Sequence, residues 1–550
     1  MDRFLTLAVG ALLAPLPSLL AQETSESAVP ETQGPMVDLP EDRAAGVESV
    51  SLEDVREWLG YLAGPECEGR GTGQKGYQVA AEYVREHFRS LGYEPGAGED
   101  YLQVVPWNRT AVADGDQGLF FGEGDDAMKI LVGGGLKGWA TAAFDFSGPL
   151  SVVTTESPRE WEPAEGSLEG RAVLLATSAD LTEIEFRGRV RKDPRFVSRS
   201  LQNLRQKIDE AGGRLVAVAS EVAYEHADSF SERTSAARRT NRASAGAALQ
   251  PVVPVIDMDM LAQVTEAAGI QLPDLGGESR SDAELKVRAS IEVTTEQAPA
   301  FNVCAILPGS DPQLRDEYVV IGSHLDHLGK RGDTIYFGAD DDGSGSTGLM
   351  AVAKAFAQNP VRPKRSILLL AFCGEENGLI GSRYYSDNPT VPLESMVAEL
   401  QMDMIGRNEE GRQAGNETAD ENLNCLHLVG TQKLSNDLHA LCMRLNEDRN
   451  NFAIEFDEEG VYSRSDHFNF ARFGVPIAFF FTGFHPQYHQ PDDTPDKIDY
   501  PKLLRIATYV YDIAFELAQQ DSRPLIDPEL WDQMGRLKAS EDPAAPVRKN

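Results

Sequence analysis

The sequence is poor in cysteine, in positive charge and in long apolar runs, and each shortage excludes something. Five cysteines, Cys67, Cys304, Cys373, Cys425 and Cys442, are scattered over 550 residues with no CxxC pair. That spacing implies neither a disulfide framework nor a cysteine-rich zinc site, although a Cys425–Cys442 bridge stays open. Lysine and arginine total 51 against 87 acidic residues, a formal net charge of -36. Such a surface repels nucleic acid and anionic membranes, so neither is an expected partner. GxSxG, HExxH and P-loop motifs are absent. One apolar run of length exists, from Phe4 to about Ala21 behind Arg3. It is short, Pro-broken and ends in small residues, the pattern of a secretory signal peptide over residues 1–21. No cysteine follows it to carry a lipid anchor. A secreted or periplasmic protein, free of the membrane after signal removal, is expected.

A chain of this length is too long for one core. Residues 22–48 are acidic, Pro-containing and nearly free of large apolar side chains, and read as a disordered linker. From Ser51, Leu52, Val55, Trp58, Leu59 and Leu62 recur at helical spacing. Residues 77–91 and 502–519 are also amphipathic helices, and residues 521–550 are a loosely held tail. Residues 130–290 differ in texture, with short apolar runs broken by turns, and are expected to be an inserted α+β or β-rich module. The segment 228–248 within it reads as an exposed loop. The main domain is then 49–129 together with 291–520.

After Val303 come four near-continuous apolar runs, YVVIGS, SILLLAFC, MVAELQM and VPIAFFF, separated by helical stretches. Runs of this kind predict mostly parallel strands covered on both faces, an α/β doubly wound sheet flanked by helices. Sites in such sheets form beyond the carboxyl ends of the strands. There the sequence places His324 and Asp326, Glu375 and Glu376, Asp403, and, after a short loop, His489. Asp340, Asp341 and Asp342 open a further helix. Zinc accepts imidazole nitrogen and carboxylate oxygen. Two histidines, one bridging carboxylate and two further carboxylates would hold two ions, and neighbouring Glu375 and Glu376 point different ways and can divide base from ligand.

Taken singly, each signal has a plainer explanation. An acidic pair at a strand end is usually solvated, a DDDG stretch is usually a helix cap or calcium loop, and a loop histidine is usually structural. The joint pattern is what argues for a metal centre. The GSGSTG stretch from Gly343 fits GxGxxG, but three carboxylates stand where a pyrophosphate would approach, and a helix N-terminus should attract that anion.

The stretches GSHLDHLG, GADDDGSGS, AFCGEENGLIGS, QMDMIG, SDHFNF and YHQPDDT resemble the signature blocks of the di-zinc aminopeptidase and glutamate carboxypeptidase family, metallopeptidase family twenty-eight. The resemblance covers residues 49–125 and 290–520. It implies the zinc exopeptidase type of fold and two Zn2+ per chain. By it Asp341 bridges the ions, His324 and Asp403 complete one site, and Glu376 and His489 complete the other. Glu375 is then the general base, Tyr488 an oxyanion donor, and Asp326 the group that orients His324. A cis peptide between Asp341 and Asp342 is also implied. His327, Asp466 and His467 are assigned structural or supporting places. The stretches EGRAVLLA and KIDEAGGRLVAVAS of the insert resemble a protease-associated domain. The resemblance implies an exopeptidase acting on peptides, with aminopeptidase the leading reading. Carboxypeptidase, dipeptidase, glutaminyl cyclase and a non-catalytic receptor-type relative are the alternatives.

Overall fold

The four apolar runs form the middle of one sheet in the computed structural model of the chain. It describes residues 39–124, 126–132, 134–139, 143–186, 189–192, 197–226, 229–231, 233–236, 253–331, 333–411, 418–456 and 460–533. The expected signal peptide, most of the linker and the end of the tail lie outside the described residues. The sheet comprises β1 (Glu94–Pro95), β2 (Leu102–Val104), β3 (Phe301–Leu307), β4 (Tyr318–His324), β5 (Ser366–Phe372), β6 (Met396–Met402), β7 (Cys425–Val429), β8 (Ala453–Glu455) and β9 (Ile477–Phe481). Its order is β1-β3-β5-β4-β6-β9-β7-β8, with β2 also on β3. The central strands β5, β4, β6 and β9 are mutually parallel. β3 and β7 join them antiparallel.

Successive side chains of a strand point to opposite faces. Val319 and Ile321 of β4 therefore enter one core and Val320 another. The first core packs under α2 (Leu52–Leu62), α3 (Lys75–Ser90), α4 (Gly345–Gln358), α6 (Asn436–Leu445) and α7 (Tyr500–Gln519); the second packs against α5 (Ile380–Asp387). The fold is the expected doubly wound α/β type, and α2 starts where the pattern predicts, on a Ser51–Asp54 capping box.

Three boundaries differ from the sequence reading. The linker does not reach residue 48, because α1 (Glu41–Glu48) is helical. It is held by Arg43, which reaches Asp512 (2.8 Å) and Glu516 (3.0 Å) on α7, and by the close approach of Gly46 to Ala355 O. Neither contact leaves an apolar pattern. The insert is wider than 130–290. Gly118–Phe121 pairs with Ser279–Ile291 in a seven-stranded sheet, and Trp107–Val112 pairs with Val293–Gln297. Antiparallel partners distant in sequence close the module at about 107–297. Ser229–Ser231 and Arg233–Ala236, expected in a loop, are short strands. In the tail, Pro528–Gln533 is helical and Trp531 packs on the second core. All five cysteines are free and buried, so Cys425 and Cys442 are not bridged.

Candidate metal centre

The carboxyl ends of β4, β5 and β6 and the loop after β9 meet at one point. His324 ends β4, Glu375 and Glu376 follow β5, and Asp403 follows β6. Asp341 arrives from the turn before α4, and His489 from beyond β9. Asp341 stands in the middle. Its Oδ1 lies 3.3 Å from His324 Nε2, which lies 3.4 Å from Asp403 Oδ1. Its Oδ2 lies 3.0 Å from His489 Nε2, which lies 3.2 Å from Glu376 Oε2. All five predicted ligand residues are therefore brought together, with one Asp341 oxygen facing each half.

These separations fit metal binding. Donors 2.0–2.1 Å from a tetrahedral zinc are about 3.3 Å apart. Buried Asp341 Oδ2 faces His489 at 3.0 Å and buried Glu376 Oε1 faces His327 Nδ1 at 2.8 Å, while His327 Nε2 is buried with no hydrogen-bond partner among the described residues. Buried polar atoms are rarely left so unless something else occupies them. The triads His324–Asp341–Asp403 and His327–Asp341–Glu376 each could hold an ion.

The surrounding chain explains the precision. The Asp341–Asp342 peptide is cis, as the resemblance implied. Asp342 accepts from the backbone N–H groups of His324 (3.1 Å), Gly345 (2.9 Å) and Met404 (3.1 Å), tying β4, α4 and the end of β6 to one carboxylate. It fills the place a pyrophosphate would need, which disposes of the GxGxxG alternative. His489 and Met404, beside or among the candidate ligands, have φ of 60° and 55°. Non-glycine residues in that region are strained and concentrate at functional sites.

Glu375 follows Gly374, whose φ of 65° favours glycine and where a Cβ would come within 2.9 Å of the Trp107 ring. The Glu375 N–H donates to Asp326 Oδ1 (3.1 Å). Burial, then the charges of Asp403 and Glu376, hold its carboxyl well above the usual range, against the opposing pull of His324. Asp341 goes the other way. Burial would raise it, but hydrogen bonds from His324 and His489 hold it well below. Burial likewise lowers the His489 imidazole, yet its bonds to Asp341 and Glu376 push it up to about 10. Carboxylates driven in opposite directions are what an acid–base site beside a cation site requires.

Asp326 contacts His324 chiefly through its main chain. His324 Nδ1 meets the Asp326 main-chain carbonyl at 3.0 Å, and the carboxylate stands 3.9 Å away. The carboxylate also accepts from the Glu375 N–H (3.1 Å). Tyr488 stacks on His489, with ring centroids 3.9 Å apart, and its Oη accepts from Arg464 (3.3 Å). With Glu375, Arg464 and Phe484 it lines a small cavity of about 40 Å3 over the cluster. His467 is held in the packing, its Nε2–H donating to Tyr462 O (2.7 Å) and its ring stacking on Phe479. Asp466 is buried beneath the cluster.

The sequence reading underrated His327. Its Nδ1 lies 2.8 Å from Glu376 Oε1 and 3.7 Å from Asp341 Oδ2. It lies in the same GSHLDHLG block as His324, three positions on, which was the available signal. His327→Ala is expected to weaken metal binding roughly 10–100-fold, the range for a group that aims a ligand, measured by competition with a chromophoric chelator. Also missed were Arg70, and Asp493, which accepts from the Asp340 and Asp341 N–H groups.

Residues 302–514 match Peptidase family M28. The chain is similar to a probable leucine aminopeptidase of Arthroderma otae, 29% identical over 226 residues, 40% of this chain and 57% of the relative. It is similar to one of Trichophyton verrucosum, 30% identical over 239 residues, 42% and 61% of the two. The matches thus span about three fifths of those relatives' lengths. Among solved structures it is similar to the aminopeptidase from Aneurinibacillus sp. strain AM-1, with 20% identity, a TM-score of 0.47, and coverage of 88% of this chain and 98% of that one. The likeness to peptidase family M28 runs over residues 302–514, the stretch that carries all five candidate ligands.

Proposed function

We propose that the chain is an exported di-zinc aminopeptidase. The observation that carries this reading is the division of the Asp341 carboxylate, one oxygen to His324 and the other to His489. In it, His324, Asp341 and Asp403 hold one zinc, and Asp341, Glu376 and His489 hold the other. Bound there, zinc supplies Lewis acidity toward a carbonyl and acidifies a water. Glu375 removes a proton from the attacking water and returns it to the leaving amine. Tyr488 Oη donates to the carbonyl oxygen as charge builds on it. The small cavity of about 40 Å3 is in keeping with a chain end rather than the middle of a polypeptide. Export rests on Arg3 and the apolar run to Ala21. The insert is read as a protease-associated-like module.

The test is a panel of peptides with free N-termini, blocked N-termini and C-terminal glutamate. Cleavage of the free N-terminal set alone, suppressed by a chelator and restored by zinc, is the expected outcome. Cleavage confined to the C-terminal glutamate set would assign a carboxypeptidase. Turnover indifferent to chelation would defeat the metal reading.

A further inference from the structure

A second group of metal-binding side chains lies two strands along the sheet from β6. Cys425 and His427 are on β7, two apart and so on one face. His427 pairs in register with Glu455 of β8. Ligand atoms of Cys425, His427 and Glu455 lie within 4.8 Å of one another. Glu409, buried in the segment after β6, adds a fourth donor, its Oε2 3.2 Å from His427 Nε2. Cys425 Sγ is 3.8 Å from the same nitrogen.

These spacings suit one ion. With Zn–S about 2.3 Å and Zn–N or Zn–O 2.0–2.1 Å, tetrahedral S···N and N···O edges are about 3.6 and 3.3 Å. The donors are also held in place. The His427 ring packs on Phe481, centroids 5.7 Å apart, and Asn422 donates to the Glu409 carbonyl (3.0 Å). Charge closes as well. A thiolate and two carboxylates offset a divalent ion together with Lys502, whose ammonium donates to Asn408 (2.7 Å) and to Asn422 O (3.1 Å).

We propose that Cys425, His427, Glu409 and Glu455 form a structural zinc site, separate from the Asp341 centre, that ties the β7–β8 edge of the sheet to the segment leaving β6. Loading it displaces the Cys425 thiol proton to solvent, since the ligand is the thiolate. The soft sulfur donor distinguishes it chemically from the Asp341 centre, whose predicted ligands offer only nitrogen and oxygen.

That difference supplies the test. The full-length chain is loaded with Co2+ and its near-ultraviolet spectrum recorded, because a thiolate bound to cobalt gives a charge-transfer band and imidazole or carboxylate does not. No other grouping among the described residues includes a cysteine. The band is expected in the parent and in His324→Ala, and is expected to vanish in Cys425→Ser. Glu455→Gln, at the half-buried sheet edge, guards against a folding failure and should weaken Zn2+ displacement of the cobalt band at least tenfold. No band in cobalt-loaded protein, a band surviving Cys425→Ser, or unchanged Zn2+ affinity in Glu455→Gln would overturn the site and leave an ordinary buried His427–Glu409 contact. None of these outcomes depends on whether the chain cleaves peptides.

Discussion

Glu375→Gln is expected to leave metal content unchanged and to lower kcat roughly 10²–10⁴-fold, the span that a positioned base contributes. The amide has the shape of the carboxylate but cannot take a proton. Glu375 belongs to neither metal-binding triad, yet it lines the same cavity as His324, Asp341 and Asp403. Its backbone is fixed by Asp326 and by the Gly374 turn, so the substitution should not move its neighbours. Glu376→Gln, one residue on, should differ in kind. It removes a charge that faces His327 at 2.8 Å and His489 at 3.2 Å, so metal content should fall with activity. Single-turnover rates and metal analysis on both variants separate base from ligand. Near-normal turnover in Glu375→Gln would remove the proposed base.

The contrast between adjacent glutamates shows what the sequence could carry. Strand ends were legible because β4, β5, β6 and β9 are buried on both faces and, apart from Glu399 and Gln401 of β6, almost wholly apolar, which makes their termination visible and leaves His324, Glu375, Glu376 and Asp403 conspicuous. Asp341 was legible only in company: acidic residues before a helix are commonly a cap, and the histidines and carboxylates at the other strand ends are what marked this group. What was not legible depends on distance. The close packing of His327 on Glu376 joins residues 49 positions apart, and nothing in their local patterns announces it. The resemblance implied an Asp326 carboxylate beside His324, but nothing local announces that it also accepts from the Glu375 N–H across the parallel β4–β5 pair. Helix α1 was missed for the reason that β-pairing at 107–297 was missed. Both rest on contacts between distant segments that hydropathy does not record.

Arg70 is the residue on whose loss the structure should suffer most. It is fully buried, with side chain and backbone both engaged. Its Nε donates to Leu325 O (2.8 Å), Nη1 to Leu62 O (2.7 Å) and Phe337 O (2.8 Å), and Nη2 to Gly338 O (2.7 Å). Its own carbonyl accepts from the His327 N–H (3.2 Å). One guanidinium thus joins α2, the residue after His324 and the turn leading to Asp341. Arg70→Met strands three buried carbonyls and the part-buried Phe337 carbonyl, a buried one costing about 1–3 kcal/mol when unsatisfied. It also withdraws a positive charge from beside Asp341, Asp342 and Asp493. Unfolding free energy should fall on the order of 4 kcal/mol, read as a lower denaturant midpoint at unchanged slope. Arg70→Lys keeps the charge but not the planar fork that reaches four acceptors, and should recover only part. Metal affinity should weaken in both variants, because the Leu325 and Gly338 carbonyls lie on the two segments that carry His324 and Asp341. A full-strength midpoint in Arg70→Met would show that water satisfies those carbonyls and that the ligand turns hold themselves.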